Sequence, residues 1–378
     1  MVQRALYREE HEIFRESVRR FVEKEVAPHH ETWEKEGVVS REAWLAAGEA
    51  GILLCAVSEE YGGGGGDFLH SCVVIEELAK VGASGPGFPL HNDIVTPYIL
   101  HYASEEQKRH WLPRMAKGEV IGAIAMTEPG AGSDLQGIRT TALADGNHLV
   151  LNGQKVFITN GQSADLVITV CKTDPAEGAK GVSLVLVEGN REGFARGRNL
   201  EKIGYKAQDT SELFYDEVRV PRTNLLGEEG QGFRYLMEQL PQERLVVAAR
   251  SAQVIESVVQ ETIAYTRGRK AFGRAIAEFQ NTRFKLAEAK TEATVCRTFV
   301  DHCIALHMQG ALDTSMASMA KLHATDLACK VLDECLQLHG GYGYMWEYPV
   351  ARAWADARVN RIAGGTSEIM KEIIARAL

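Results

Sequence analysis

The chain has no apolar run approaching the ~20 residues that a membrane-spanning helix needs, so no transmembrane helix is expected. Nor has it an excess of basic residues: 42 Lys and Arg stand against 51 Asp and Glu, a formal net charge of −9. A nucleic-acid binder ordinarily presents a basic face, so that class is set aside. The opening stretch, MVQRALYREEHEIF, mixes charges and holds no apolar segment, which argues against a secretory signal. It is not acid-poor, as a transit peptide would be, and a cytoplasmic location is expected. The seven cysteines (Cys55, Cys72, Cys171, Cys296, Cys303, Cys329 and Cys335) are odd in number, scattered and never spaced C-x-x-C. Reduced thiols in a reducing compartment are expected, and a metal site is not. His29-His30 offers no ligand pair, because adjacent helical side chains point different ways. Internal repeats, low-complexity tails and long linkers are also missing.

What is present is more than one core's worth of chain. At 378 residues it exceeds the roughly 250–300 over which a single hydrophobic core grows, so two or three packed units are expected. Residues 1–120 read as helical. Phe14, Val18, Phe21, Val22 and Val26 recur at helical spacing, and Pro28 closes that element. Trp44, Leu45, Ala46 and Ala50 continue the pattern to Gly51. The run Gly62–Gly66 lacks the spacing and the Lys of a phosphate-cradling loop, so a flexible turn between helices is expected. Val73–Lys80 is a helix, broken by Gly82, Gly85, Pro86, Gly87 and Pro89. Such a break leaves local space beside the helix end, as an ordinary helix–loop–helix also would. Ser104, followed by Glu105, Glu106 and Gln107, opens another helix with acids at its positive end.

From Ile121 the period changes to two. A short apolar strand enters the Gly-rich loop Met126–Asp134, and strands follow at His148–Leu151, Lys155–Thr159, Leu166–Cys171, Val182–Val187 and Ser211–Val220. Asn152-Gly153, Asn160-Gly161 and Gly189-Asn190 supply turns. This is a compact antiparallel β unit over residues 121–225, closed by Pro221.

Residues 226–378 return to helical spacing. Leu245, Ala248, Ala249, Ala252, Ile255, Val259 and Ile263 form one apolar stripe. Phe284, Leu286, Ala287 and Val295 mark a second helix, and Met316 through Leu332 a third, together an antiparallel bundle. Near the end stand two Gly pairs, Gly340-Gly341 and Gly364-Gly365. Such pairs let backbone approach a flat or anionic ligand, but between helices they more commonly serve as C-caps.

Three stretches carry a resemblance: AMTEPGAGSD at 125–134, YMWEYP with the DARV that follows, and GGTSEIMKE. They resemble the signatures of the flavin-dependent acyl-CoA dehydrogenases, nearest the long-chain branch, and the similarity extends over essentially the whole chain. The resemblance implies a mainly α fold with a central β domain. An N-terminal helical domain would span 1–120, an antiparallel β-barrel-like middle domain 121–225, and a C-terminal four-helix bundle 226–378. It implies bound FAD. Ala125, Met126, Thr127, Gly132 and Ser133 would offer backbone N–H groups and hydroxyls to flavin edges, ribityl or phosphate oxygens. Phe157, Ile158 and Thr159 would lie beside the isoalloxazine, although Phe157 alone would read as core packing. Arg269, Phe272 and Gln280 match an R-x-x-F-G…Q element that contacts FAD held mainly by a neighbouring subunit, where a guanidinium fork suits a pyrophosphate. Gln337, Leu338, Gly340, Gly341, Thr366 and Glu368 would add contacts. The cofactor would then straddle a dimer interface, and a homotetramer built as a dimer of dimers is expected.

In that family a carboxylate takes the α proton of an acyl-CoA thioester while the β hydrogen leaves as hydride. The base must approach within about 3 Å of its proton, with a pKa lifted above the ~4.3 of a free Glu. Most relatives place this Glu directly before the G-T of the last motif, where this chain has Gly364. The long-chain and isovaleryl branches carry it in an E-R motif on another helix, which Leu240–Leu245 (LPQERL) matches. Glu243 is therefore the expected base, and Arg244 an expected contact to the CoA portion. Gln242, Ser133, Gly364 and Gly365 complete the substrate set. Pro241 is expected to start or kink a helix, leaving Glu243 in the first turn after it. Without the resemblance, Glu243 would read as an acid near a helix start, worth a few tenths to 1 kcal/mol. Ala363, where many relatives have Tyr, would enlarge the pocket near the acyl carbons.

The activity so implied is oxidation of a medium- to long-chain or branched acyl-CoA to the trans-2-enoyl-CoA, with an electron-transferring flavoprotein as acceptor. Two alternatives stay open: an acyl-CoA oxidase that uses oxygen, and a non-catalytic acyl-CoA- or flavin-binding protein. Peroxide formation would mark the first, and an absence of turnover with any acyl-CoA the second.

Overall fold

A computed structural model of the protein describes residues 4–378. Seven helices come first: α1 Glu9–Phe21, α2 His30–Glu36, α3 Arg41–Glu49, α4 Phe68–Lys80, α5 Phe88–Leu90, α6 Thr96–Tyr102 and α7 Glu105–Ala116. Their starts follow capping chemistry. Ser40 accepts from Ala43 N, Asp67 from Leu69 N, and Ser104 with Gln107 forms a reciprocal capping box. Two π turns, Val22–Val26 after α1 and His91–Val95 before α6, interrupt the regular pitch. Helix α4 is buried nearly all round and forms the axis of this region. Its Glu76 accepts from Arg4, Arg15 and Arg297 at 2.9–3.3 Å and from the Tyr7 hydroxyl at 2.9 Å. The first residues are thereby tied to a helix of the last third.

The five-glycine run is not the flexible turn expected. Its amides bond back to Ser58, Leu54, Val57 and Cys55 carbonyls, and a Cβ at Gly63 would lie 2.3 Å from the Val57 carbonyl oxygen. The glycines are there because the chain folds flat against itself.

Seven strands form one curled sheet: β1 Gly122–Ala125, β2 Thr141–Asp145, β3 His148–Thr159, β4 Leu166–Lys172, β5 Val182–Glu188, β6 Phe194–Asn199 and β7 Thr210–Pro221. The order is β1-β4-β2-β3-β7-β6, with β5 on β4. Most pairings are antiparallel, while β1 runs parallel to β4 in the register Gly122↔Leu166. Two expectations need correcting. Asn152-Gly153 is a bulge inside one continuous strand, β3, rather than a turn between two. β2 and β6 escaped the sequence pattern because they bury too few residues to alternate cleanly.

The last third holds α8 Gly232–Gly268, the small hairpin β8 Lys270–Ala271 and β9 Arg274–Ala275, α9 Gln280–Met308, α10 Thr314–His339, α11 Pro349–Ala357 and α12 Ser367–Ala375. The stripe from Leu245 to Val259 joins the core shared by α8, α9, α10 and α4. On α9 the stripe chosen from sequence faces outward. Ala289, Ala293, Cys296, Val300 and Cys303 are buried, whereas Phe284 and Val295 are more than half exposed. All seven cysteines are free, and no helix among the described residues is long and apolar enough to cross a membrane.

Candidate active site

Glu243 lies well inside α8, eleven residues after its first residue, Gly232. Pro241 sits within that helix and does not start it, so the first-turn reading of Glu243 is replaced. Glu243 is 7% exposed. One carboxylate oxygen, Oε1, accepts a 2.8 Å hydrogen bond from the Tyr98 hydroxyl on α6. Burial pushes the Glu243 carboxyl up to about 7, against the opposing pull of the Tyr98 hydrogen bond and the Arg244 charge. Burial likewise lifts the Tyr98 phenol far above its ordinary value, so it remains a donor. Beside Glu243, the Gln242 amide donates to the Asp93 carbonyl at 2.8 Å.

Arg244 does not have the open position that a contact with the CoA portion needs. It is 4% exposed, donates from Nη1 to Ser318 Oγ on α10 at 3.3 Å, and keeps a buried, unpartnered Nε. The next turn of α10 carries Lys321, whose Nζ donates to the Gly365 carbonyl at 2.5 Å. Burial and the nearby Arg244 pull the Lys321 ammonium down to about 8. Through this relay the Glu243 segment and the Gly364-Gly365 turn belong to one neighbourhood. Both glycines have positive φ, 67° and 98°, and a Cβ on Gly364 would meet nothing within 4 Å. Thr366 then caps α12 by accepting from Ile369 N, with Glu368 exposed in its first turn.

The Gly-rich loop begins where β1 ends, at Ala125. It docks on β3 through Val156 N, which donates to the Thr127 carbonyl at 2.9 Å. A buried ion pair holds it there. Lys155, fully buried, donates to the Met126 carbonyl at 3.0 Å and to Glu128 Oε1 at 2.9 Å. Glu128 also receives Arg139 N and Thr140 N. Burial works against the Glu128 charge, yet Lys155 and these donors hold its carboxyl below the usual range. A second bulge in β3, between Lys155 and Ile158, turns Phe157 outward with φ 61° and leaves it 66% exposed. Positive φ at an aromatic residue is strain that persists where the surroundings demand it. Thr127 and Thr159 are half-buried beside it, and Gly132 and Ser133 are exposed. An aromatic platform flanked by hydroxyls and an open Gly-rich loop fits a flat heteroaromatic ring with a polar tail.

The remaining predicted cofactor residues gather elsewhere. Phe272 and Gly273, both with positive φ, make the tight turn of the β8–β9 hairpin, and Phe272 is 95% exposed. The Arg269 guanidinium lies 5.6 Å from the Tyr342 ring centroid, and Tyr265 donates to the His339 carbonyl at 3.1 Å. Arg269 is thereby set beside the turn holding Gln337, Leu338, Gly340 and Gly341. Gly340, at φ 59° and ψ −136°, occupies a conformation open to glycine. Gln280 opens α9. No hydrogen bond or ion pair among the described residues joins this group to Thr127, Ser133, Phe157 or Thr159.

Sequence reasoning missed Tyr98, Lys155, Glu128 and Lys321. Only Lys155 left a local trace, as a charge at an inward position of a strand. His11, Asp67 and His70 lie close enough to suggest a metal site. These atoms already bond one another and the backbone, however: His11 Nδ1 accepts from Arg8 N, His11 Nε2 pairs with Asp67 Oδ1, and His70 Nδ1 accepts from Asp67 N. A cleft of about 430 Å³ follows α8 from Arg250 to Glu261, beyond Glu243 and lined also by Tyr205 and Asp356.

Comparison with known proteins matches three family descriptions in chain order: "Acyl-CoA dehydrogenase, N-terminal domain" over residues 8–119, the middle domain over 123–218 and the C-terminal domain over 230–378. The mitochondrial long-chain specific acyl-CoA dehydrogenase of Sus scrofa is 55% identical over 377 residues, covering 99% of this chain and 88% of that one. The crystal structure of an acyl-CoA dehydrogenase from Geobacillus kaustophilus superposes with a TM-score of 0.98 at 53% identity, over 99% of both chains. A glutaryl-CoA dehydrogenase from Mycobacterium smegmatis in complex with FADH2 gives 0.90 at 30% identity, over 98% of this chain and 95% of that one.

Proposed function

The chain belongs to the acyl-CoA dehydrogenase family, FAD-dependent enzymes that dehydrogenate acyl-CoA thioesters, and on that premise we propose that Glu243 is the base that removes the α proton. The single observation that carries this is a carboxylate buried inside a long helix and raised to about 7, in a chain whose usual base position is occupied by Gly364. A base in that range is ionised often enough near neutral pH and basic enough to accept a carbon-bound proton. Bound FAD supplies the acceptor for the β hydride.

The chain's own residues divide the remaining work. Thr127, Ser133, Thr159 and the backbone of residues 125–133 would hold the cofactor, with Phe157 against its ring and Lys155 and Glu128 fixing the loop. Arg269, Phe272, Gln280 and the turn at residues 337–341 would serve cofactor held by a second copy, which the full exposure of Phe272 supports. The enzyme would then be an oligomer, a tetramer built from dimers. Gln242, Gly364 and Gly365 would border the thioester. Arg244, expected at the CoA portion, is set aside as a direct contact, because it is buried on Ser318. The substrate class is a medium- to long-chain or branched saturated acyl-CoA, the product its trans-2-enoyl-CoA, and the acceptor an electron-transferring flavoprotein. A division of the chain near residues 121 and 226 is part of this reading, supported by the helix-to-strand change at Gly122 and the return to helix at Gly232.

The test is Glu243→Gln. Flavin content should stay at the wild-type level while turnover with a saturated acyl-CoA falls at least ~10²-fold. Unchanged turnover would move the base elsewhere.

A further inference from the structure

We propose that Tyr98 is a positioning residue for Glu243: its phenol fixes Oε1 and leaves Oε2 as the oxygen that meets the substrate's α proton. The inference rests on Glu243 being the base. Its geometric ground is independent of that. Tyr98 is fully buried, and its hydroxyl donates to Oε1 at 2.8 Å, across 145 residues of sequence. Oε2 receives no hydrogen bond, yet it is not among the buried atoms left without a partner. One oxygen is tied and the other is free, which is what directional proton abstraction from a single side requires.

The local fold explains why Tyr98 faces this way. The π turn at His91–Val95 inserts an extra residue into the helical turn, and Thr96 Oγ1 bonds back to the His91 carbonyl at 2.7 Å. That added residue resets the rotation of α6 and so the direction of Tyr98. The same segment is locked to α8 by Gln242, which donates to the Asp93 carbonyl. Tyr98 and Glu243 are therefore held from both sides of the contact.

The charged and titratable groups around the pair are few. From α8 there is Arg244, and from α10 Lys321 behind it; from the π turn Asp93, itself a buried acid pushed up to about 7; and from α6 Tyr102, tied to Glu238 and Gln239. Of these, Tyr98 alone donates a hydrogen bond to the Glu243 carboxylate. A neutral donor to the anion favours the ionised base over its acid without cancelling its charge.

Tyr98→Phe is the first test, read by the pH dependence of kcat/KM and of flavin bleaching in a single turnover. The apparent pKa for the base should rise by about one unit. Activity at pH 7 should fall about fivefold and recover at higher pH, with flavin content unchanged. Tyr102→Phe, which alters the adjacent ring's hydroxyl and not the bond to Glu243, should leave the profile in place. Should Tyr98→Phe fold poorly, 3-fluorotyrosine incorporated at position 98 gives a stronger donor in the same shape, and the profile should move down instead. A wild-type profile in either variant, with Glu243→Gln inactive, overturns the role of Tyr98. Turnover in Glu243→Gln would instead overturn the base assignment on which it rests.

Discussion

The ammonium of Lys155 lies 2.9 Å from the carboxylate of Glu128, both shut away from solvent, beneath the loop that carries Thr127 and Ser133. Each charge satisfies the other, and neither has water to fall back on. Removing one partner strands the other, a loss of about 3–5 kcal/mol for buried pairs. Lys155→Met should therefore lower the unfolding midpoint and release flavin, seen as a reduced ratio of flavin to protein absorbance. Lys155→Met with Glu128→Gln should recover part of the stability, because no uncompensated anion remains.

Glu243 should leave its mark on the stability curve as well as on the rate. Its folded pKa stands near 7 against 4.5 for the ordinary carboxyl. The folded protein thus binds this proton more tightly than the unfolded chain. Its contribution is fully present below pH ~4.5 and is lost as pH rises through 7, on the order of 3 kcal/mol in all. Glu243→Gln should accordingly gain stability over wild type at pH 8 and show little gain at pH 5, measured by denaturant midpoints. Over the same range kcat/KM of the wild type should climb with pH, as the base ionises.

Position 364 offers a way to restore what Glu243→Gln removes. A Cβ there would meet nothing within 4 Å, although its φ of 67° imposes strain on any side chain. In the Glu243→Gln background, Gly364→Glu should return measurable turnover, at least tenfold above the single variant yet below wild type. No gain would mean that the turn faces away from the α carbon.

Phe272 should matter to assembly more than to folding. Its ring stands almost wholly in solvent at the tip of a tight hairpin. Phe272→Asp should leave helix content and monomer stability within about 0.5 kcal/mol. It should shift the sedimentation profile toward smaller species and cost bound flavin in parallel.

Much of this architecture was legible in the sequence wherever the signal was local. The Ser104 capping box, the period-two run after Ile121 and the stripe from Leu245 to Val259 all rest on neighbours along the chain. Where the determinant was distant, the sequence was silent. Nothing near Tyr98 announces Glu243, and nothing near Lys321 announces Gly365. Pro241 misled only as a helix start, because proline is common in a first turn, whereas here it lies inside the continuous α8. Phe284 and Val295 misled in another way, since periodicity marks an apolar face without saying whether it meets the chain's own core.

Glu76 gathers Arg4 and Arg15 from the beginning of the chain and Arg297 from α9 in its last third onto one carboxylate. Burial opposes its ionisation, but the three guanidiniums keep its carboxyl below the usual range. The clasp therefore holds above pH ~4.5 and fails as acidity passes through the lower folded value. Acid strong enough to protonate Glu76 should then loosen the leading helix from α4 and α9, so the start of the polypeptide is latched to its helical bundle by a contact that acid can open.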